Sequence, residues 1–359
     1  MKIGIVVPKL SGGGAEYVAV EWGRYLSSRN MDVVFCLTDP DSTVDAPDYT
    51  RAVALEGKTI FSRIWALRRF LLSEETDVVI GLMPFWNLLS LAAVFTLGSK
   101  RPRVLISSHT IESAYGVSRG RGFLLQTTLA KVVYRFADGL IASSHAVAAE
   151  AVARYGIRRE KLWVVPNPVF PKPVAVKPRP SNFHGPLTLL VPGRIVDQKR
   201  PDLAVEVAVE IGKQTGTTPC LVFIGEGPAE ESTRERALAS GVDASFAPWT
   251  PAWPSLAKGY TVVLLPSMLE GFGNVILDAT AAQLPVVVSS RALGVADAII
   301  PGVTGVLVEG DEISDYVKGI LESSNCSLDL VLISKWLQRF TTERSGGVLS
   351  SILARLMLA

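Results

Sequence analysis

The chain has 359 residues, 48% of them hydrophobic and 19% charged, with a mean hydropathy of +0.31 and a formal charge of +2. The length predicts two domains, and the composition excludes a disordered chain, which would be poor in apolar residues and rich in net charge. The balance of 36 Lys+Arg against 34 Asp+Glu excludes a globally basic nucleic-acid binder.

Met1 leads straight into KIGIVV, with no basic leader and no small-residue cleavage site, so no secretory signal is expected. Lys2–Pro8 is a continuous apolar run, as a strand buried on both faces requires. Ser11-Gly12-Gly13-Gly14-Ala15-Glu16 follows and opens a helix over Ala15–Arg29. Glycines let backbone N–H groups approach an anion, and a helix N-terminus adds positive potential. The residues leave two readings open here, a phosphate or substrate contact and a plain turn. A dinucleotide fingerprint would need glycine at 17, where Tyr17 stands, although Asp39 closes the next strand (Asp32–Leu37) where a ribose-binding acid belongs. Asp39-Pro40-Asp41 has the form of a metal-holding DxD, but it lies in a polar loop and reads as a solvated turn. No His, Cys and Asp cluster has metal-ligand spacing. The three cysteines, Cys36, Cys220 and Cys326, are scattered and odd in number, so they read as reduced thiols.

Val78–Ser99 carries no charge over about the length of a membrane helix. Gly81, Pro84 and Asn87 interrupt it, so it reads as a buried strand (Asp77–Met83), a turn and an apolar helix (Asn87–Leu97). Val104–Ser107, Gly139–Ala142 and Trp163–Val165 are further strands. His109 follows the first of these and serves either a ligand or a local turn, while His145, after Ser143-Ser144, reads as part of a helix cap. From Pro166 to Pro186 prolines crowd the chain, which predicts a linker that also holds His184. The α/β pattern restarts with strands at Leu187–Pro192, Cys220–Ile224, Val262–Pro266 and Val286–Ser289. Leu328–Ala359 reads as helices broken at Gly346-Gly347. The expected organisation is an N-terminal domain (1–168), a linker (169–185), a C-terminal domain (186–327) and a helical segment (328–359). Strands alternating with helices predict two Rossmann-like parallel sheets facing across a cleft, with functional residues in loops just after strands.

The second half carries the more specific pattern. Arg194 and Lys199 lie five apart in Pro192–Pro201, between a strand and a helix. Two cations there suit a diphosphate, Arg bidentately and Lys as a point charge. Gly225-Glu226-Gly227-Pro228 closes the next strand with a tight turn. Leu264–Asp278 then runs strand, acid loop, Gly271-Phe272-Gly273 turn and helix, with Glu270 and Asp278 eight residues apart. The N–H groups of Gly273 and Asn274 would meet phosphate at that helix start, and Asp278, two turns down, would face the same ligand.

Taken in order, these blocks resemble the retaining GT-B glycosyltransferases of family four. They are Gly12–Gly14, Ser143–Pro168 ending Val165-Pro166-Asn167-Pro168, Gly193-Arg194 through Lys199, Gly225–Pro228, Glu270–Asp278 with Leu284–Val288, and Pro301–Val308. The resemblance covers about residues 1–325. It implies a GT-B fold whose C-terminal helix packs back on the N-terminal domain. It also implies that Arg194 and Lys199 neutralise a sugar-nucleotide diphosphate, that Glu270 and His109 hold the donor sugar, and that Asp278 holds the ribose hydroxyls, where the family's usual residue is Glu. Gly14, Gly193, Gly271, Phe272, Gly273, Asn274 and Val275 would line the donor, and Gly12 and Gly13 the acceptor side. Backbone around Phe246–Trp249 would read the base. No cofactor or metal is expected. The residues offer no compelling carboxylate pair for double displacement, and the family's same-face substitution needs none.

Charge divides unevenly: residues 1–180 hold 23 Lys+Arg and 15 Asp+Glu, a net +8, and residues 181–359 hold 13 and 19, a net −6. Residues 61–72 and 118–136 mix arginines and lysine with large apolar residues, a composition that suits either an anionic membrane surface or an ordinary amphipathic helix packed on a sheet. With the resemblance, the expected donor is a UDP- or GDP-sugar. The expected acceptor is a glycan or lipid-linked hydroxyl at the cytoplasmic face of the membrane. A soluble acceptor, a non-catalytic sugar-nucleotide binder and, more weakly, an oxidoreductase are the competing readings.

Overall fold

The computed structural model describes residues 1–39, 41, 46–115, 120–168 and 187–358, with the backbone alone at 114, 115, 120 and 121. The linker expected at 169–185 and the residues Pro40, His184, Ser118 and Arg119 lie outside these. The chain divides into two compact units, Met1–Phe170 with Arg339–Ala359, and Pro171–Gln338.

Unit 1 runs β1 (Lys2–Val7), α1 (Gly14–Ser28), β2 (Asp32–Leu37), β3 (Arg51–Ala54), α2 (Ile60–Ser73), β4 (Val78–Leu82), α3 (Pro84–Phe95), β5 (Arg103–Ser108), α4 (Glu112–Tyr115), α5 (Gly120–Val133), β6 (Gly139–Ala142), α6 (His145–Tyr155) and β7 (Leu162–Val164). Its seven strands pair in parallel in the order β3-β2-β1-β4-β5-β6-β7. Every residue of β4 is buried, which is why the strand and α3 together lack charge. Helix α3 starts at Pro84, earlier than the sequence suggests, because Pro at the first turn needs no N–H donor. Among the described residues no helix is long and apolar enough to cross a membrane.

Unit 2 runs β8 (Leu187–Pro192), α7 (Pro201–Thr215), β9 (Cys220–Ile224), α8 (Glu230–Ala239), β10 (Ala244–Ala247), β11 (Tyr260–Leu265), α9 (Asn274–Ala281), β12 (Val286–Ser289), β13 (Gly305–Val308), α10 (Ile313–Glu322) and α11 (Leu330–Leu337). Its six parallel strands take the order β10-β9-β8-β11-β12-β13. The core of this unit joins Leu189, Phe223, Val262 and Leu264 of the sheet to Ala204, Ile211, Tyr316 and Ile320 of the helices.

The last helix, α12 (Thr342–Leu358), belongs to unit 1. Leu349 and Leu353 enter the core of β1 and α1 beside Ile5, Trp22 and Leu26. The Trp22 indole donates to Ser345 Oγ at 3.0 Å, and that hydroxyl donates to the Pro166 carbonyl at 2.7 Å. The expected break at Gly346-Gly347 is absent, and α12 runs through it. A Cβ at Gly346 would stand 2.2 Å from Cγ of Tyr25, so the glycine lets α12 lie against α1 and costs only some helix propensity.

Candidate active site

In unit 2, close backbone packing builds the loops at the carboxyl ends of β8, β9 and β11. Gly193 adopts φ 132° and Gly225 φ 137°, both open to glycine and strained for other residues. A Cβ at Gly225 would lie 2.3 Å from the Gly193 carbonyl oxygen, and one at Gly227 2.1 Å from that of Ile195. The Gly193 N–H donates to Ile224 O at 2.9 Å and the Ile195 N–H to Glu226 O at 3.0 Å. The Gly-Glu-Gly turn thus presses directly against the strand end that carries Arg194. Arg194 is exposed and has no carboxylate partner among the described residues.

Lys199 closes a short 3-10 turn (Asp197–Lys199), and its ammonium bonds to Glu270 Oε1. The two loops are stitched on either side of this pair. Gln198 Nε2 donates to Leu269 O at 2.6 Å, and the Met268 N–H donates to Gln198 O at 2.9 Å. Arg200, at φ 50°, is tied to Asp311 at 2.7 Å, and Asp311 also accepts from the Tyr316 hydroxyl at 3.0 Å. Glu270 is buried, its N–H donating to Ala292 O at 2.9 Å and its carbonyl accepting from Gly294 N–H at 3.2 Å. Gly294 allows this because a Cβ there would meet the Gly271 oxygen at 2.2 Å.

Gly273, at φ 88°, starts α9, whose N-terminus has no side-chain cap. A helix end of that kind carries partial positive charge and backbone N–H groups suited to an anion. Phe272 is buried below it, and Asn274 and Val275 form the first turn. Asp278 is the fifth helical residue, one turn in, not two as the spacing suggests. Burial pushes its carboxyl up to about 6, opposed by the neighbouring Trp253 indole.

In unit 1 the Ser11–Gly14 loop follows β1 and opens α1, with Gly12 at φ 97°. A Cβ at Gly13 would stand 2.3 Å from Glu16 Oε2, so this helix start carries an acid from its own first turn. His109 follows β5. Its Nε2 lies 2.9 Å from Ser107 Oγ, and its ring is 6.0 Å from that of Trp22. Burial holds the imidazole down at about 4, with the Asn167 side chain pulling the other way, so the ring is neutral at ordinary pH.

The structure therefore brings together Gly193, Arg194, Lys199, Glu270, Gly271 and Gly273 in unit 2 and places Asp278 on the adjoining helix. Gly12, Gly13, Gly14 and His109 lie in unit 1. His145 is the first residue of α6, next to Ser144, whose side chain accepts from the Val147 N–H. Asp39 Oδ1 accepts from the Asp41 N–H at 3.3 Å, as a local turn does. Among the described residues no group of three or more His, Cys, Asp or Glu could hold a metal ion. The sequence reading missed the buried acid Glu112 and the buried amide Asn87, which stand behind His109. Asn87 reads as an interruption of an apolar run, and nothing around Glu112 in sequence marks it.

Two family descriptions match consecutive parts of the chain, Glycosyltransferase Family 4 at residues 12–172 and Glycosyl transferases group 1 at residues 176–330. D-inositol 3-phosphate glycosyltransferase of Pseudarthrobacter chlorophenolicus is 32% identical over 203 residues, 51% of this chain and 47% of that protein. The present chain thus spans about half the length of that relative. A Campylobacter jejuni protein, the GalNAc-alpha-(1->4)-GalNAc-alpha-(1->3)-diNAcBac-PP-undecaprenol alpha-1,4-N-acetyl-D-galactosaminyltransferase, is 24% identical over 347 residues, 92% of each chain. The crystal structure of Anabaena HepE in complex with UDP and glucose superposes with a TM-score of 0.81 over 99% of this chain and 100% of the other, at 17% identity. With two Rossmann-like parallel sheets and family matches across both, the chain belongs to the family-four glycosyltransferases of the GT-B fold.

Proposed function

We propose that this chain transfers a sugar from a nucleotide-diphosphate sugar to a hydroxyl of a lipid-linked or envelope-glycan acceptor, with retention of anomeric configuration. The observation that carries the reading is the loop pair of unit 2. An exposed Arg194, the Lys199–Glu270 pair and the uncapped start of α9 converge there on stitched loops. As the bond from the anomeric carbon to the diphosphate breaks, negative charge grows on the departing oxygen. Arg194, Lys199 and the α9 N-terminus stabilise that charge, a contribution that grows towards the transition state. The departing oxygen takes the proton of the acceptor hydroxyl on the same face, and the acceptor oxygen bonds to the anomeric carbon. Glu270 and His109 hold sugar hydroxyls, and Asp278 accepts from the ribose. Two side-chain cations meet the diphosphate charge, so the reaction we propose requires no metal and no cofactor. The UDP and glucose held by the HepE crystal favour a UDP-sugar, and the undecaprenol in the Campylobacter name favours a lipid-linked acceptor.

Two faces of unit 1 support an anionic lipid surface as the acceptor's setting and the cytoplasmic leaflet as the place of action. Helix α2 exposes Phe61, Trp65 and Leu72 beside Arg69. Helix α5 and the turn after it expose Leu125, Leu129, Val132 and Phe136 beside Lys131 and Arg135. Apolar residues interleaved with cations suit the headgroup boundary.

The test is a panel of UDP- and GDP-sugars, with and without EDTA, read as slow release of nucleoside diphosphate. Release from one donor, insensitive to EDTA and lost in Arg194→Ala, is the expected result, and no release from any donor sinks the reading. Co-sedimentation with anionic vesicles at low salt tests the surface separately, and absence of binding removes it.

A further inference from the structure

One set of buried polar groups of unit 1, Tyr155, Glu112, Tyr134, Asn87 and Ser107, is linked by hydrogen bonds that lead to His109. Glu112 is fully buried, and no cation reaches its carboxylate among the described residues. Three hydroxyls reach it instead. Tyr155 donates to Oε2 at 2.7 Å, and Ser108 and Tyr134 donate to Oε1 at 3.3 and 3.5 Å. Burial pushes the Glu112 carboxyl up to about 7. In its ionised form it only accepts, so the Tyr134 hydrogen then goes to Glu112 while the Tyr134 oxygen accepts from Asn87 Nδ2 at 3.3 Å. That fixes the Asn87 amide. Its nitrogen also donates to Ser107 O at 3.0 Å, and its oxygen accepts from Ser107 N–H at 3.2 Å. Ser107 Oγ then meets His109 Nε2 at 2.9 Å.

The members come from α3, β5, α4, the turn Tyr134–Phe136 and α6. The backbone beneath Glu112 is held as well, since the Glu150 carboxylate accepts from the N–H groups of Glu112 at 2.8 Å and Ser113 at 2.7 Å. Gly81 makes the approach of Asn87 possible, because a Cβ there would lie 2.9 Å from the Trp86 carbonyl and 3.0 Å from Asn87 Cα.

Burying these groups is costly, and well-packed apolar side chains of similar volume would give equal or better stability. Stability alone therefore leaves the chain of bonds unexplained. What it does supply is geometry, at the carboxyl end of a parallel strand where such sheets receive ligands. At the same strand end, His109 Nδ1 and Thr110 Oγ1 are buried polar atoms with no hydrogen bond of regular geometry.

We propose that Asn87, Tyr134 and Glu112 are positioning residues: they lock Ser107, and through its hydroxyl the His109 imidazole, in the orientation that sugar transfer uses. The inference rests on the reading that His109 serves the reaction. Ser107 is the last link, and Tyr134 acts two residues away from the ring through Asn87.

The chain has three histidines, so imidazole resonances of the 15N-histidine-labelled protein are few, and His109→Gln assigns the one that matters. Tyr134→Phe deletes one oxygen and keeps the ring; Ser107→Ala cuts the final link. With the nucleotide sugar found in the donor panel, both are expected to lower kcat by about 10- to 100-fold at unchanged donor KM. Both are also expected to move the His109 resonance and its titration midpoint while circular dichroism and Tm show a folded protein. A parental kcat and a parental His109 resonance in Tyr134→Phe overturn the positioning role while leaving His109 itself intact. Unchanged turnover in His109→Gln overturns the underlying reading, and the proposal with it.

Discussion

In unit 2 the candidate residues hang on backbone pressed against backbone, Gly225 on Gly193 and Gly227 on Ile195. In unit 1, His109 hangs on side chains gathered from four stretches of the chain, at 87, 107, 112 and 134. The first arrangement tolerates no added atom at its glycines, and Gln198 and Arg200 add side-chain ties to it. The second tolerates small changes of volume but needs each polar partner. Substitutions in the two units should therefore fail in different ways.

The largest effect is expected at Arg194, whose exposed side chain makes no ion pair or hydrogen bond among the described residues. Arg194→Ala should lower kcat/KM by about 100- to 1,000-fold with unfolding free energy within about 0.5 kcal/mol of the parent. A large stability loss would show that Arg194 is part of the scaffold. Gly227→Ala comes next. Its methyl meets a carbonyl oxygen that cannot move without dragging β8, so urea unfolding should report a loss of about 3 kcal/mol. A tolerated alanine would break the contrast between the units. Gly346→Ala in α12 places a methyl equally close, but to the Tyr25 ring, which can turn. A smaller loss, about 1–2 kcal/mol, is expected.

The subtlest effect concerns Asp278. Its carboxyl is raised to about 6 from an ordinary 3.8, so the fold prefers the protonated form. The stability this contributes is present below about pH 4 and is lost as pH rises through about 6. Asp278→Asn, neutral at every pH, should therefore unfold at higher urea than the parent at pH 7, by about 1 kcal/mol after allowance for partial exposure. Donor binding should run the other way. The parent's donor KM should rise as pH falls below about 6, and Asp278→Asn should have a higher KM that no longer varies across that range. A variant both less stable and unchanged in KM would remove Asp278 from the donor site.

The same contrast explains what the sequence can reveal. Glycine-dependent contacts leave their mark within a few residues, so Gly193-Arg194 and Gly225-Glu226-Gly227 are readable as a strand end and a tight turn. The central strands are readable for a related reason: buried on both faces, they are unbroken apolar runs. Edge strands β3 and β10 are half exposed and short, and they leave no such run. Glu112 and Asn87 are illegible because, apart from Ser108 beside Glu112, their side-chain partners lie 20 to 47 residues away. Gly346 misleads because a glycine that lets two helices touch looks, in sequence, like one that ends a helix.

Unit 1 takes its last helix from the far end of the chain, and that has a consequence during synthesis. When residue 168 leaves the ribosome, the core around Ile5, Trp22 and Leu26 still lacks Leu349 and Leu353. Unit 2 is contiguous and must be made first. At about 5–20 residues per second the delay is roughly 10–35 s. For that interval the nascent N-terminal unit carries an open apolar seam along α1. A chaperone that binds such surfaces should be found on ribosome-bound chains stalled before residue 342 and not on chains from which residue 358 has emerged.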